Sequence, residues 1–318
     1  MHKIVVTGVG AIIGYGIIKS LRQSRNKVHI TGIDANPDAV GKVWCDSFKV
    51  CPMAKSDEFI PFMLDLIKKE NVSFVIPGIP QDVEAFSKAT INKKTNIPIV
   101  LNTKELIELS LDKWRLYKKL DAEGFEIIKT FIDGDFETIA EELTLPFLLK
   151  PRCSYASKGI VVIETEKDFI YWQEKMGRNF MVQEIIGSDE EEFTASAFGY
   201  GDGTSCKPII LRRKLSNQGS TDFAEVVFHQ DIENAIKRLT ELFRPVGPTN
   251  FQFRLHQGKP LLLEINPRIS SATSIRTLFG FNEAEMSVQY YLEKKRDFTL
   301  ELKSGTVQRF IEDYRVSS

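Results

Sequence analysis

Gln252, Glu264 and Asn266 are three oxygen donors whose spacing could hold a hard metal ion. Residues 261–266 alternate as a strand, with Leu261, Leu263 and Ile265 on one face and Leu262, Glu264 and Asn266 on the other. Pro267 has no amide N–H and ends the strand, and Arg268 follows just past the turn. The stretch before it alternates too: Phe251, Phe253 and Leu255 face a core, while Asn250, Gln252 and Arg254 face away. His256 and Pro260 enclose Gln257-Gly258-Lys259 as a three-residue hairpin loop. Pairing His256 with Pro260 sets Gln252 opposite Glu264, and the three donors then converge on one patch. Such a set suits magnesium, which takes one or two carboxylates and leaves positions for substrate phosphates. The competing reading is a two-stranded antiparallel edge with a solvated polar face.

Cations that could meet those phosphates lie upstream. Leu145 to Pro151 reads as a buried strand delivering Lys150 at its end. Residues 152–159 follow, a loop of small, hydroxyl and basic residues whose backbone N–H groups could line an anion site. It includes Arg152, Ser154, Ser157, Lys158 and Gly159; the alternative is a flexible basic turn. Lys113 opens a helix that runs to about Glu123, an odd place for a cation unless it faces an anion. Arg212 and Arg213 sit on a short strand, either as phosphate ligands or as a charged edge that blocks aggregation. Asp189 to Glu192 reads as a solvated acidic turn after the strand Phe180 to Ile186.

The elements that must position these groups form an α/β chain. Strand, glycine turn, helix, strand and Asp34 open the sequence, in outline a dinucleotide-binding fingerprint. The spacing is G-x-G-x-x-x-G through Gly8, Gly10 and Gly14, however, and a tight βα turn needs glycines whatever it binds. Further strands at Ser47–Val50, Val72–Pro77 and Ile97–Leu101, with helices between them, predict a doubly wound domain of about 100 residues. Asp231 to Phe243 carries an apolar helical stripe, and Phe298 to Tyr314 alternates like a strand. At 318 residues the chain suits two or three domains. A net charge of −1 excludes a global field favouring nucleic acid or membrane. No apolar run approaches a transmembrane span, and no signal-peptide layout opens the chain. Cys45, Cys51, Cys153 and Cys206 form no C-x-x-C pair and read as reduced thiols of a cytoplasmic protein.

Taken in order, these segments resemble the ATP-grasp superfamily, most closely the carbamoyl-phosphate-synthase-like branch and related carboxylate–amine ligases. The resemblance is carried by Asn250-Phe251-Gln252, Glu264 to Arg268 with the serine-rich 270–274, the Lys150 strand, Val182 to Ile185 before Gly187, and Glu192-Phe193-Thr194. It implies a Rossmann-like pre-ATP-grasp domain at 1–108, then a small lobe at 109–186 and a large lobe at 187–318 with C-terminal strands. It implies an enzyme that uses ATP and magnesium, with manganese as a substitute, to activate a small carboxylate as an acyl phosphate and join it to an amine. Gln252, Glu264 and Asn266 would hold the metal. Lys113, Lys150 and the 152–159 loop (Ser154, Ser157, Lys158, Gly159) would meet the phosphates, and Lys150 could also reach the adenine. Gln183, Glu184, Ile185 and Ile186 would meet the adenine, and Glu192 the ribose. Arg268, with Arg212 or Arg213, would stabilise the acyl phosphate. Partners would be small molecules, not nucleic acid or membrane; a homo-oligomer is compatible with the sequence. The rival readings are an NAD(P)-dependent oxidoreductase using the first domain and a non-catalytic ATP-binding regulatory protein. Arg276 is either an anion anchor or a helix-surface charge.

Overall fold

A computed structural model describes residues 1–25, 27–154, 159–177, 179–216 and 219–313. Three sheets organise them. The first is parallel, in the order β3-β2-β1-β4, from β1 (His2–Thr7), β2 (Val28–Asp34), β3 (Ser47–Val50) and β4 (Phe74–Ile76). Ile4, Val5 and Val6 are fully buried in sequence, so both faces are covered, as a parallel sheet requires. The expected strand at Ile97–Leu101 is only a single bridge, Ile99 to Val75. Pro98 sits in its middle and has no N–H to give a ladder. The glycines serve packing: a Cβ on Gly14 would lie 2.1 Å from the Gly8 carbonyl oxygen, and one on Gly78 would lie 2.0 Å from that of Thr7.

The second sheet is antiparallel, in the order β5-β8-β6-β7, from β5 (Thr130–Phe131), β6 (Phe147–Pro151), β7 (Val161–Ile163) and β8 (Phe180–Glu184). Helices Phe136–Glu142 and Glu166–Met176 pack on it through a core of their own, Ile139, Phe147, Phe169, Phe180 and neighbours.

The third sheet has six antiparallel strands, β13-β12-β9-β10-β11-β14. They are β9 (Glu192–Tyr200), β10 (Ile209–Leu215), β11 (Thr221–Val227), β12 (Val246–His256), β13 (Lys259–Asn266) and β14 (Thr306–Gln308). The expected C-terminal strand is confined to β14. Phe298, Leu300 and Leu302 pack instead as separate anchors on the core around Phe198 and Phe279, and Tyr314 lies outside the described residues. Helix Thr273–Leu278 bridges this sheet to the first one. Thr277 Oγ1 is 2.8 Å from Ser20 Oγ, and Asn282 Nδ2 donates to the Ser20 carbonyl at 2.8 Å. Ile269, Ala284 and Val288 share a core with Ile4, Val6 and Ile17.

The β12–β13 hairpin reaches the expected pairing by another route. His256 pairs with Lys259, not Pro260, so the turn has two residues. Gln257 and Gly258 both have positive φ, 50° and 81°, as a tight hairpin turn with strand-matching twist demands. A bulge between Gln252 and Phe253 on one strand and Glu264 and Leu262 on the other absorbs the missing residue and restores Gln252 opposite Glu264. Leu261 and Leu262 are consequently both buried, and the simple alternation expected there is broken. Tyr117, from helix Lys113–Ala122, pins the bulge: its hydroxyl donates to the carbonyls of Leu262 and Leu263 at 3.2 and 3.0 Å. Tyr117→Phe should therefore lower the urea midpoint by an amount worth about 1–3 kcal/mol, the cost of buried acceptors left unpaired. An unchanged midpoint would mean that the bulge does not need the hydroxyl.

Candidate active site

Two lysines, Lys150 on the small sheet and Lys113 at a helix start, lie near enough to Glu264 of the large sheet for its charge to act on both. Lys150, near the end of β6, is buried and donates to Gln183 Oε1 on β8 at 2.5 Å. Gln183 Nε2 in turn donates to Thr130 Oγ1 on β5 at 2.8 Å, so one chain of bonds crosses three strands. Burial pulls the Lys150 ammonium down to about 7; Lys113 and Arg254 push the same way, and Glu264 opposes them. Lys113, the first residue of its helix, donates to the Ser154 carbonyl at 2.9 Å and to Ser154 Oγ at 3.3 Å. Its pKa is lowered by burial, against the pull of Glu264. Asp112 caps that helix on the amides of Trp114 and Arg115 and also pairs with Arg152, which fixes the base of the 152–159 loop. Gly159 is exposed with φ +79°, whereas Ser157 and Lys158 lie outside the described residues.

On the large sheet, Gln252 pairs with Glu264 and Asn250 with Asn266. Asn266 Nδ2 donates to Glu264 Oε1 at 2.8 Å, and Asn266 Oδ1 accepts from Arg268 at 2.8 Å. Arg268 also donates to the Ile269 carbonyl at 3.0 Å. Among the described residues no three His, Cys, Asp or Glu side chains are grouped so as to hold a metal ion. A divalent cation here would rest on one carboxylate and two amide oxygens. Each amide oxygen has two lone pairs and gives at most one to an arginine, so the donor set fits a hard cation that also takes water or phosphate.

Arg213 lies beside this set. It donates to Glu192 Oε1 from Nε at 3.1 Å and from a terminal nitrogen at 2.8 Å, and to Gln252 Oε1 at 2.7 Å. Glu192 Oε2 accepts from Arg254 at 2.6 Å. Burial would raise the Glu192 carboxyl, but Arg213 and Arg254 outweigh it and hold the pKa below the usual range. Arg212 does not join them. Successive strand residues point to opposite faces, and Arg212 is exposed and paired with Glu225 on β11. That corrects the expectation that either arginine could serve.

Glu184 ends β8 half-buried, Ile185 is exposed and Ile186 is buried. Gly187, with φ +53°, packs so closely on β12 that a Cβ would lie 2.0 Å from the Leu255 carbonyl oxygen. Arg276 is neither an anion anchor nor a surface charge: it is fully buried and paired with Glu283 at 3.2 Å. Arg254 and Tyr117 escaped sequence reasoning. Strand alternation put Arg254 on the Gln252 face, but nothing local told of its carboxylate partner 62 residues away.

The model of the family described as ATP-grasp in the biosynthetic pathway with Ter operon matches residues 160–313, which include β8 to β13 and the whole Gln252–Glu264–Asn266 set. The chain carries an ATP-grasp domain. It is 25% identical over 296 residues to the carbamoyl phosphate synthase large chain of Clostridium perfringens, covering 84% of this chain but only 27% of that relative's length. Among solved structures, N5-carboxyaminoimidazole ribonucleotide synthetase from Thermus thermophilus has a TM-score of 0.72 at 17% identity, covering 96% of this chain and 82% of that one. The biotin carboxylase domain of Hydrogenobacter thermophilus 2-oxoglutarate carboxylase, complexed with MgADP, ADP and bicarbonate, has a TM-score of 0.75 at 14% identity, covering 96% and 73%. These likenesses establish a mixed α/β ATP-grasp fold. The oxidoreductase reading loses ground in the same region. Asp34, its ribose acceptor, is turned back onto the Gly10 and Asn36 amides at 2.8 Å each. No helix among the described residues is long and apolar enough to cross a membrane.

Proposed function

We propose that this chain is an ATP- and Mg2+-dependent ligase that activates a small carboxylate as an acyl phosphate and joins it to an amine. The observation that carries the reading is the pairing of Gln252 with Glu264 and of Asn250 with Asn266 on neighbouring strands, with Lys113 and Lys150 near enough for the Glu264 charge to act on both. Triphosphate would enter between those lysines and Glu264. Gln252, Glu264 and Asn266 would hold Mg2+, or Mn2+ in its place. The metal, when bound, would neutralise charge on the transferring phosphoryl group. Lys113 and Lys150 would bind phosphate oxygens, with Ser154 and the rest of the 152–159 loop over them. Gln183 to Ile186 would line the adenine. Arg268, with Arg213, would steady the acyl phosphate until the amine displaces phosphate. The parallel sheet would be a Rossmann-like pre-ATP-grasp domain at 1–108 that supplies one wall of the substrate cleft, with the lobes at 109–186 and 187–318. A cavity between Pro80, Val83, Leu111, Asn266 and Arg268 borders that wall. Phosphate release with ATP and Mg2+ across a panel of carboxylate and amine pairs tests the reading. Tight ATP binding without release for any pair would favour a non-catalytic regulator.

One pH dependence follows from Lys150. Its free pKa of about 7 must rise when it meets a triphosphate, so above pH 7 ATP binding takes up a proton. ATP affinity should fall between pH 7 and pH 9, by up to about tenfold per unit. Lys150→Met should weaken binding and flatten the profile. Calorimetry at pH 8 in buffers of different ionisation enthalpy reads the uptake directly, and none would mean that Lys150 does not contact the phosphates.

A further inference from the structure

A cavity lies along the seam between helix Pro80–Lys88 and the end of β13. Its volume is about 40 Å3, room for about three or four waters. Pro80, Val83, Ile107, Leu111, Ile265 and Pro267 make its walls mostly apolar. Val83 and Ile107 belong to the core that includes Val5 and Val75 of the parallel sheet, so this part of the wall is closely packed from behind. Two charged side chains line the same cavity. Glu84 comes from the helix and Arg268 from the turn after β13, so they reach it from different sides of the seam. Arg268 also donates to Asn266 Oδ1, which puts the cationic end of the cavity next to the proposed metal set. Glu84 Oε1 accepts from Lys88 at 2.6 Å. That is an i,i+4 surface pair whose lysine is 70% exposed, a contact worth little and one that a cation arriving in the cavity can share. Ser110 lines the cavity too, and its Oγ is buried with no hydrogen-bond partner among the described residues. A buried hydroxyl left unpaired is uncommon, and here it stands where a ligand's N–H could complete it.

We infer that the carboxylate this chain activates belongs to a small α-amino acid with an apolar side chain. Each part of such a molecule has a counterpart in the cavity. Its carboxylate lies at the end formed by Arg268 and Asn266, where the γ-phosphoryl group is to be delivered. Its ammonium, a positive charge with several N–H donors, meets the Glu84 carboxylate and Ser110 Oγ. Its side chain, of about one to four carbons, fills the apolar remainder, and a large ring exceeds the space. An acid with a second carboxylate would bring a like charge to Glu84 and is disfavoured. The inference rests on the proposed ligase reading and names the acid which that reading leaves open.

The experiment traps the acyl phosphate with hydroxylamine on the full chain, with ATP and Mg2+, so that no amine substrate is needed. An oxygen of the acid takes the γ-phosphoryl group and ADP leaves. The hydroxylamine nitrogen then bonds the acyl carbon, phosphate leaves and the nitrogen gives up a proton. The hydroxamate is read as its iron(III) complex. Alanine and valine, in both enantiomers, are compared with propionate and 3-methylbutanoate, which lack the ammonium, and with glutamate and tryptophan. For alanine or valine, kcat/KM should exceed that of the acid lacking the ammonium by at least about tenfold, the worth of a charge-assisted hydrogen bond. Glu84→Gln should bring that ratio to within about threefold. Ser110→Ala should lower it in the same direction and serves as the test should Glu84→Gln not fold. Equal use of the acids lacking the ammonium overturns the inference and leaves the ligase reading standing. So does a preference for glutamate or tryptophan, or an unchanged ratio in folded Glu84→Gln or in the Ser110→Ala that stands in for it. Hydroxamate from no acid at all overturns the ligase reading and this one together.

Discussion

Glu264→Gln should cut ATP-dependent phosphate release by about a thousandfold or more, with the melting profile little changed. Glu264 is the single carboxylate among the three donors, and its charge acts on both Lys113 and Lys150. Glutamine keeps the shape and one oxygen but removes the charge that holds a divalent cation. Losing a cation that stabilises transition-state charge is worth several kcal/mol, and each 1.4 kcal/mol is about tenfold in rate. The fold should survive because Glu264 is only half-buried on an edge strand. Equilibrium dialysis with Mn2+ separates loss of metal from loss of chemistry. Activity within tenfold of the unmodified protein would remove Glu264 from the metal set.

The second large effect is on stability. The Arg276 guanidinium is fully buried and donates to Ser270 Oγ at 2.8 Å, Thr194 Oγ1 at 3.0 Å, Asn250 Oδ1 at 2.5 Å and Glu283 Oε1 at 3.2 Å. Glu283 is fully buried too, and its Oε1 also accepts from Ser196 at 2.6 Å. Arg276→Met strands that carboxylate without its cation, at a cost of about 3–5 kcal/mol. The double change Arg276→Met with Glu283→Met removes both charges, and apolar replacement of a buried pair is often neutral. Urea unfolding should therefore show a large drop for the single variant and recovery of most of it in the double. A single variant within about 1 kcal/mol of the unmodified protein would mean that the pair does not bear on stability.

Much of this was legible in local pattern. The 2-residue period exposed Gln252, Glu264 and Asn266 as one face, and the glycine-punctuated opening announced the parallel sheet. What stayed hidden depends on distance along the chain. The bulge at Leu263 and the two-residue turn are offsets of opposite sign, so the right pairing was reached through the wrong loop. Arg276 sits in a short helix with polar neighbours, which looks like surface until Thr194, Asn250 and Glu283 close around it. Arg212 and Arg213 differ only in the direction their strand gives them, and the register that decides it comes from β9 and β11.

The sharing of cores has a mechanical consequence. Residues 269, 284 and 288 lie in one core with the first sheet, and Ser20 is bonded to Thr277 and Asn282. The parallel sheet and the six-stranded sheet therefore move as one body. The sheet of β5 to β8 has a buried cluster of its own, yet Met181 on β8 packs with Leu116, Tyr117, Phe193 and Phe253 in the core of the six-stranded sheet. The joint between the two sheets therefore carries apolar packing beside the Lys150–Gln183 hydrogen bond.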